Sequence, residues 1–295
     1  MKNYKSTKGH GVLSILGITA VYDLLIITLL FIVNSYEIST LLKITIIVFN
    51  LYQIYYILIY SSLEYSIDDY NIYIKGSFGL KNLTIPFKDI KGYKQESGHI
   101  KGIKLSGYGK NHFAIGRAII KKIGSTYMFV TSTKNVIYLK TDDANYGLSP
   151  ENFNDFKLQL NNKNIYEMDW EYKPNKNINL YKDKKFFIPF LIVAVVVLVI
   201  TFNPIILYLN NRLPNKMPLS FNSNFIAVEF GTNKQFAFKQ MFYGLLNMAV
   251  LFCMYNAAYL YARYDRKSVY KFIYIPLILS SFFLVVQIRI LSRFI

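Results

Sequence analysis

Asp23 is the first residue whose chemistry stands out. It is the one charged side chain in the apolar run Gly11–Val33, and it lies near the middle of that run. A carboxyl group at mid-membrane depth costs about 2.5–3.5 kcal/mol on insertion scales, so it faces a partner or serves a proton or ion path. Asn50 and Gln53 sit inside the next apolar run, from about Leu41 to Tyr60, at matching depth for an antiparallel neighbour. Two uses stay open. One is protonated, hydrogen-bonded glue between helices. The other is a step in a proton or ion pathway, for which no second membrane acid is present.

A second group is basic. Lys88, Lys91, Lys94, Lys101, Lys104, Lys121 and Lys122 fall in a stretch that also holds Lys81, Lys110 and Arg117, against only Asp89 and Glu96. Each such side chain near an anionic leaflet contributes about 1 kcal/mol. The pattern fits a membrane-facing or partner-binding surface, and equally a plain solvated face. Other chemistries find no foothold. His10, His99 and His112 lack ligand spacing, and Cys253 is the only cysteine, which excludes an internal disulfide. The pair Ser280-Ser281 has no G-x-S-x-G context or histidine base, and no G-x-x-x-x-G-K-[ST] phosphate loop occurs. No catalytic residue, metal site or cofactor is expected, and the chain is not expected to be an enzyme.

The elements that must position these residues are mostly apolar helices. Of 295 residues, 53% are hydrophobic and only 17% charged, below the ~25% charged of soluble domains. Phe186–Leu209 carries no charge and is long enough to cross a ~30 Å hydrocarbon layer. Five spans are predicted, at about 11–33, 41–60, 186–209, 241–262 and 272–288. The run Gly11–Val33 is too long for the apolar part of a cleavable signal peptide, so none is expected.

Between residues 61 and 185 the texture changes to alternating, β-branched and aromatic runs broken by Gly, Asn and Asp. Strands are predicted at Tyr65–Lys75 (two short or one bent), Leu83–Tyr93 and His99–Ser106. Thr126–Thr131, Val136–Thr141 and Asn145–Leu148 read as a three-strand meander. Ser149-Pro150-Glu151 then starts a helix, with serine as N-cap and proline at the first helical position. Phe153, Phe156 and Leu160 share one face of that helix.

In this setting IPFKDI (85–90), YMFVTSTKNVIYLKT (127–141) and YGLSPENFNDF (146–156) resemble the bacterial pleckstrin-homology-like domain of Firmicute membrane proteins. The resemblance covers about Tyr65–Asn162 and implies a binding role without a reaction. The fold class is therefore an α-helical membrane protein of about five transmembrane helices, with an inserted cytoplasmic PH-like β-barrel or sandwich capped by a C-terminal helix. Its parts are two spans (1–63), the PH-like domain (64–165), a basic linker (166–185) and three spans (186–295) with an outer loop, 210–239. In that loop Leu213, Pro214, Met217, Pro218, Phe221, Asn222, Gly231 and Lys234 resemble the extracytoplasmic motif of Sdp-type toxin-immunity proteins. Ser220 stands where that family has histidine. Pro214 and Pro218 favour extended backbone, and Gly231-Thr232-Asn233 reads as a turn.

Net charge is +17, and much of it borders the spans. Positive-inside bias keeps Lys2, Lys5 and Lys8 in the cytoplasm. The Asn34–Thr40 link, free of Lys and Arg, goes outside. The β-rich domain returns inside, followed by Lys173, Lys176, Lys182, Lys184 and Lys185. Residues 210–239 lie outside, and Arg263, Arg266, Lys267 and Lys271 inside. Arg289 and Arg293 near the outward terminus run against the bias. The expectation is a multi-pass cell-membrane protein, of immunity (peptide-resistance) or sensing type. Its partners would be the lipid bilayer, a cytoplasmic protein, an extracellular peptide and further copies of itself, without nucleic acid. The alternatives are a small transporter or channel subunit using Asp23, or a membrane assembly factor.

Overall fold

The computed structural model describes residues 1–172, 179–264 and 269–295. Lys173, Lys176, Arg266 and Lys267 lie outside the described residues. In chain order the elements are β1 (Lys2–Lys5), α1 (Gly11–Ile32), α2 (Tyr36–Ser61), β2 (Glu64–Ile67), β3 (Asn71–Gly76), β4 (Lys81–Pro86), β5 (Ile90–Glu96), β6 (Gly102–Lys110), β7 (Phe113–Ile120), β8 (Gly124–Val130), β9 (Val136–Thr141), β10 (Asn145–Leu148), α3 (Phe153–Asn162), α4 (Lys184–Leu209), β11 (Lys216–Phe221), β12 (Ala227–Thr232), α5 (Asn233–Ala262) and α6 (Lys271–Phe294). Five of the helices, α1, α2, α4, α5 and α6, are long and apolar enough to cross a membrane. They divide between two compact units, Met1–Leu29 with Leu42–Pro174, and Leu30–Leu41 with Asn175–Ile295.

The first unit holds most of the first helix pair and the β domain. Its sheets run β1-β2-β3-β4 and β5-β9-β10-β8-β7-β6 and do not close into a barrel. Tyr65, Ile72, Ile74 and Ile85 of the smaller sheet meet Tyr93, Phe129, Ile137, Leu139 and Leu148 of the larger. Phe153, Phe156 and Leu160 of α3 join the same core, on the face their spacing predicts.

Several local expectations change. Leu83–Tyr93 is two strands in different sheets, because the chain turns at Phe87–Asp89 after Pro86. The predicted meander fails. The last strand, β10, enters between β9 and β8 and runs parallel to β8, with Asn145 opposite Thr126. Asn145 Nδ2 holds that register by donating to the Ile123 carbonyl (2.8 Å). Phe113–Ile120 is a full strand paired with both β6 and β8. Ser149 is not the cap of α3, which starts at Phe153 after Asn152. Its hydroxyl instead accepts the Thr131 N–H (3.0 Å). The supposed linker begins inside the domain: Met168 N–H donates to the Tyr93 carbonyl (2.8 Å) and Trp170 Nε1 to the Ile123 carbonyl (3.2 Å).

The basic N-terminus is also structured. β1 pairs antiparallel with β2, Tyr4 opposite Tyr65. Asp155 of α3 accepts from Lys2 Nζ (2.7 Å) and the Tyr4 hydroxyl (2.6 Å), and these donors, Lys2 first, hold its carboxyl below the usual carboxylate range. A carboxylate with a lowered folded pKa contributes stability above its unfolded pKa of about 3.9 and loses it as pH falls through the folded value. Amide protection at residues 2–5 is therefore expected to drop on acidification through that range and to drop at neutral pH in Asp155→Asn, as hydrogen exchange would measure. Equal protection in the variant and the parent at neutral pH would refute this tie.

The second unit packs α4, α5 and α6 together. Its hairpin, β11 with β12, buries Leu213, Met217, Phe221 and Phe225 against Phe236, Ala237, Val286 and Ile290. The predicted loop 210–239 is thus largely this hairpin plus the first turns of α5. The turn expected at Gly231–Asn233 is a helix start: Thr232 and Gln235 form a reciprocal capping box.

Candidate functional site

Asp23 and Asn50 meet as their spacing suggests. Asn50 Nδ2 donates to Asp23 Oδ1 (2.9 Å) and to the Ile46 carbonyl (3.0 Å). One turn on, Gln53 is 1% exposed and its amide lies against the Tyr108 hydroxyl of β6. It is not brought into the Asp23–Asn50 bond. Beside it the Tyr52 hydroxyl accepts the Gly107 N–H of β6 (2.9 Å), and the Tyr52 and Tyr56 rings meet Tyr108 at tilted and edge-to-face angles. Burial raises the Tyr108 phenol above its usual value.

The seven lysines do not form one surface. Lys91 pairs with Asp142, and Lys94 with Asp169 (2.7 Å), which raises Lys94 and lowers Asp169 through their hydrogen bond. Lys104 lies over the Tyr108 ring, and Lys88 is exposed in the turn after β4. Lys101, Lys121 and Lys122 do converge, with Glu96, Ser97 and His99, around an open cleft of about 410 Å³. Arg117 leaves the basic face altogether. It is buried, with Nη1 donating to the Tyr127 hydroxyl (3.0 Å). His99 and His112, on either side of β6, meet edge to face at 4.7 Å. Among the described residues no three His, Cys, Asp or Glu side chains gather as a metal site would require.

In the hairpin, Leu213, Met217, Pro218 and Phe221 are buried and Pro214 is exposed. The motif therefore packs the hairpin onto its helices. What the hairpin shows outward is Ile226, Val228 and Phe230, none of them in the motif. Gly231 lies close against Leu219 and Gln235, and the Lys234 N–H is taken by Asn233 Oδ1 (2.8 Å).

A buried polar ladder in α4–α6 escaped sequence analysis. Pro204 has no N–H for the Ile200 carbonyl one turn back, which would be left bare. Gln287 Nε2 of α6 donates to that carbonyl (2.9 Å) and reaches Gln240 Oε1 of α5 (3.5 Å). Thr201 sits so close to Gly244 that any Cβ there would collide with it. Asn247 and Ser280 are buried too. The signal was present: a proline inside an uncharged run, and glutamines in two others.

Two outcomes follow. Asp23→Leu strands the Asn50 amide, and the lost pair is expected to lower stability by about 1–2 kcal/mol. Adding Asn50→Leu should restore part of it, as thermal unfolding in detergent would show; strict additivity of the two changes would mean the pair is not coupled. Gln287→Leu should cost a similar amount in the parent and less in Pro204→Ala, where the helix supplies its own donor to Ile200. An equal cost in both backgrounds would break that link.

Residues 63–164 match the family described as Bacterial PH domain. An uncharacterized protein of Clostridium acetobutylicum is 43% identical over 295 residues, which is 100% of each chain. No solved structure matches the chain.

Proposed function

We propose that this chain, which belongs end to end to one family with the uncharacterized Clostridium acetobutylicum protein, is a non-enzymatic multi-pass membrane protein of peptide-resistance or sensing type. The Bacterial PH domain and the N-terminus lie on the cytoplasmic side and the β11–β12 hairpin outside, following the placement of Lys2, Lys5, Lys8, Lys182, Lys184 and Lys185. The hairpin is the receiver, and the PH-like domain binds a cytoplasmic protein or the membrane face. The observation that carries this is the two-sidedness of the hairpin. Met217 and Phe221 anchor one strand in the helix ends, while Val228 and Phe230 of the other are displayed. An apolar, exposed edge strand is a surface that an amphipathic peptide fits, and proteins that do not use such an edge usually blunt it.

Deleting the gene should sensitise cells to at least one class of membrane-active peptide. Re-expression of the parent should restore resistance, whereas Val228→Asp with Phe230→Asp should not, at equal protein level. Unchanged sensitivity across a broad peptide panel would overturn the proposal.

A further inference from the structure

The loop between β3 and β4 presents Phe78 and Leu80 to nothing in the protein. They are 84% and 82% exposed, and among the described residues outside the apolar helices no large apolar side chain is more exposed. The loop is built to hold them out. Ser77, Phe78 and Gly79 all take positive φ (55°, 53° and 95°), a conformation that L-residues with a Cβ adopt at a cost. Ser77 is buried, its N–H donates to Ser62 Oγ (2.6 Å), and Leu80 N–H closes the turn on the Ser77 carbonyl (3.1 Å).

Position gives the loop its meaning. β2 leaves α2 after Ser62 and Leu63, and its first residue, Glu64, pairs with Lys75 near the end of β3. The loop therefore projects at the end of the sheet where the chain emerges from α2. A Cβ on Gly76 would rest 3.4 Å from Ile59 of that helix. α2 is long and apolar enough to cross a membrane. Phe78 and Leu80 thus stand level with its last turns, where hydrocarbon gives way to headgroups.

Cations surround the same level. Lys5, Lys8, Ser61, Ser62 and Glu64 line an open cleft of about 440 Å³ at the helix ends. Lys75 and Lys81 flank the loop, and Glu64 is the one acid among these residues.

We propose that the β3–β4 loop is a membrane anchor. Phe78 and Leu80 enter the bilayer interface beside α2, and Lys5, Lys8, Lys75 and Lys81 hold the phosphates of anionic phospholipids around them. The occupant is lipid because the loop abuts, through Ser77 on Ser62 and Gly76 near Ile59, the end of a helix long and apolar enough to cross a membrane and with many exposed apolar side chains. Phe and Leu beside Lys are the composition that binds anionic interfaces. The assignment does not depend on which leaflet the domain faces, nor on what the hairpin receives.

The test uses the full chain in nanodiscs containing phosphatidylglycerol or phosphatidylcholine alone. Phe78→Trp and, separately, Leu80→Trp add one reporter to the single native Trp170. Both positions are exposed, so either variant folds without repacking a core. The difference emission over the parent should be blue-shifted. Brominated lipid should quench it about twofold or more, with bromines within ~5–10 Å of the headgroups acting best. Replacing Lys5, Lys8, Lys75 and Lys81 by Gln should abolish any preference for phosphatidylglycerol. Emission typical of water, with full acrylamide quenching and none by bromine, would overturn the anchor. So would shielding that appears only when cytoplasmic protein is added. Identical bromine quenching with and without phosphatidylglycerol would overturn the role of the lysines.

Discussion

The first unit depends on one buried knot of hydrogen bonds around Thr131. The Tyr60 hydroxyl, near the end of α2, donates to the Thr131 carbonyl (2.9 Å) and accepts the Gly11 N–H that opens α1 (3.1 Å). Thr131 Oγ1 donates to the Thr7 carbonyl (2.6 Å), and its N–H reaches Ser149 (3.0 Å). Tyr65 joins through the Ser149 N–H (3.2 Å) and the Phe129 carbonyl (2.6 Å). Buried donors and acceptors of this kind are costly to leave unmade, so the network holds as a whole. It couples both helix ends to the β domain directly, with no flexible tether between them. Glycine at 11 is part of the arrangement, because a Cβ there would occupy the Tyr60 ring.

That coupling gives the domain's surface features their orientation. Val12, Ile15, Ile18, Tyr56, Ile57 and Ile59 pack with Tyr108, Phe113 and Ile115 of β6 and β7. The PH-like domain is seated on the ends of α1 and α2, so its loops are held at fixed heights relative to them. The lysines that sequence grouped together are then dispersed: two are bound to acids, one lies over a tyrosine, and three converge on a cleft. The second unit solves a different problem. Its helices are apolar on most faces, and hydrophobicity alone does not select neighbours in lipid. The carbonyl freed by Pro204 and claimed by Gln287, with the close Thr201–Gly244 contact, supplies specificity instead.

Much of the architecture was legible. The five apolar helices, the β texture between the second and third, and the apolar face of α3 all follow from runs and periodicities that local chemistry enforces. Their ends were less so. α2 begins at Tyr36 and α5 at Asn233, earlier than hydropathy suggests, because polar residues continue a helix once a cap or a neighbour satisfies its first turn. β1 was invisible: four residues, two of them lysine, form a strand only because β2 offers an edge. The meander was misread because adjacency in sequence favours antiparallel pairing, whereas β10 is drawn between β9 and β8 by partners 20 residues away.

Sequence by itself determined which segments are apolar enough to cross a membrane, which alternate, and that Asp23 and Asn50 fall at one depth. These depend on residue type and spacing along one element. Tertiary structure decided which polar groups meet, which basic residues stay free, that the hairpin motif faces inward, and that Phe78 and Leu80 stand beside the end of α2. Those outcomes depend on contacts between residues far apart in the chain. Such contacts arise only when backbone groups and apolar faces from separate elements compete for the same partners.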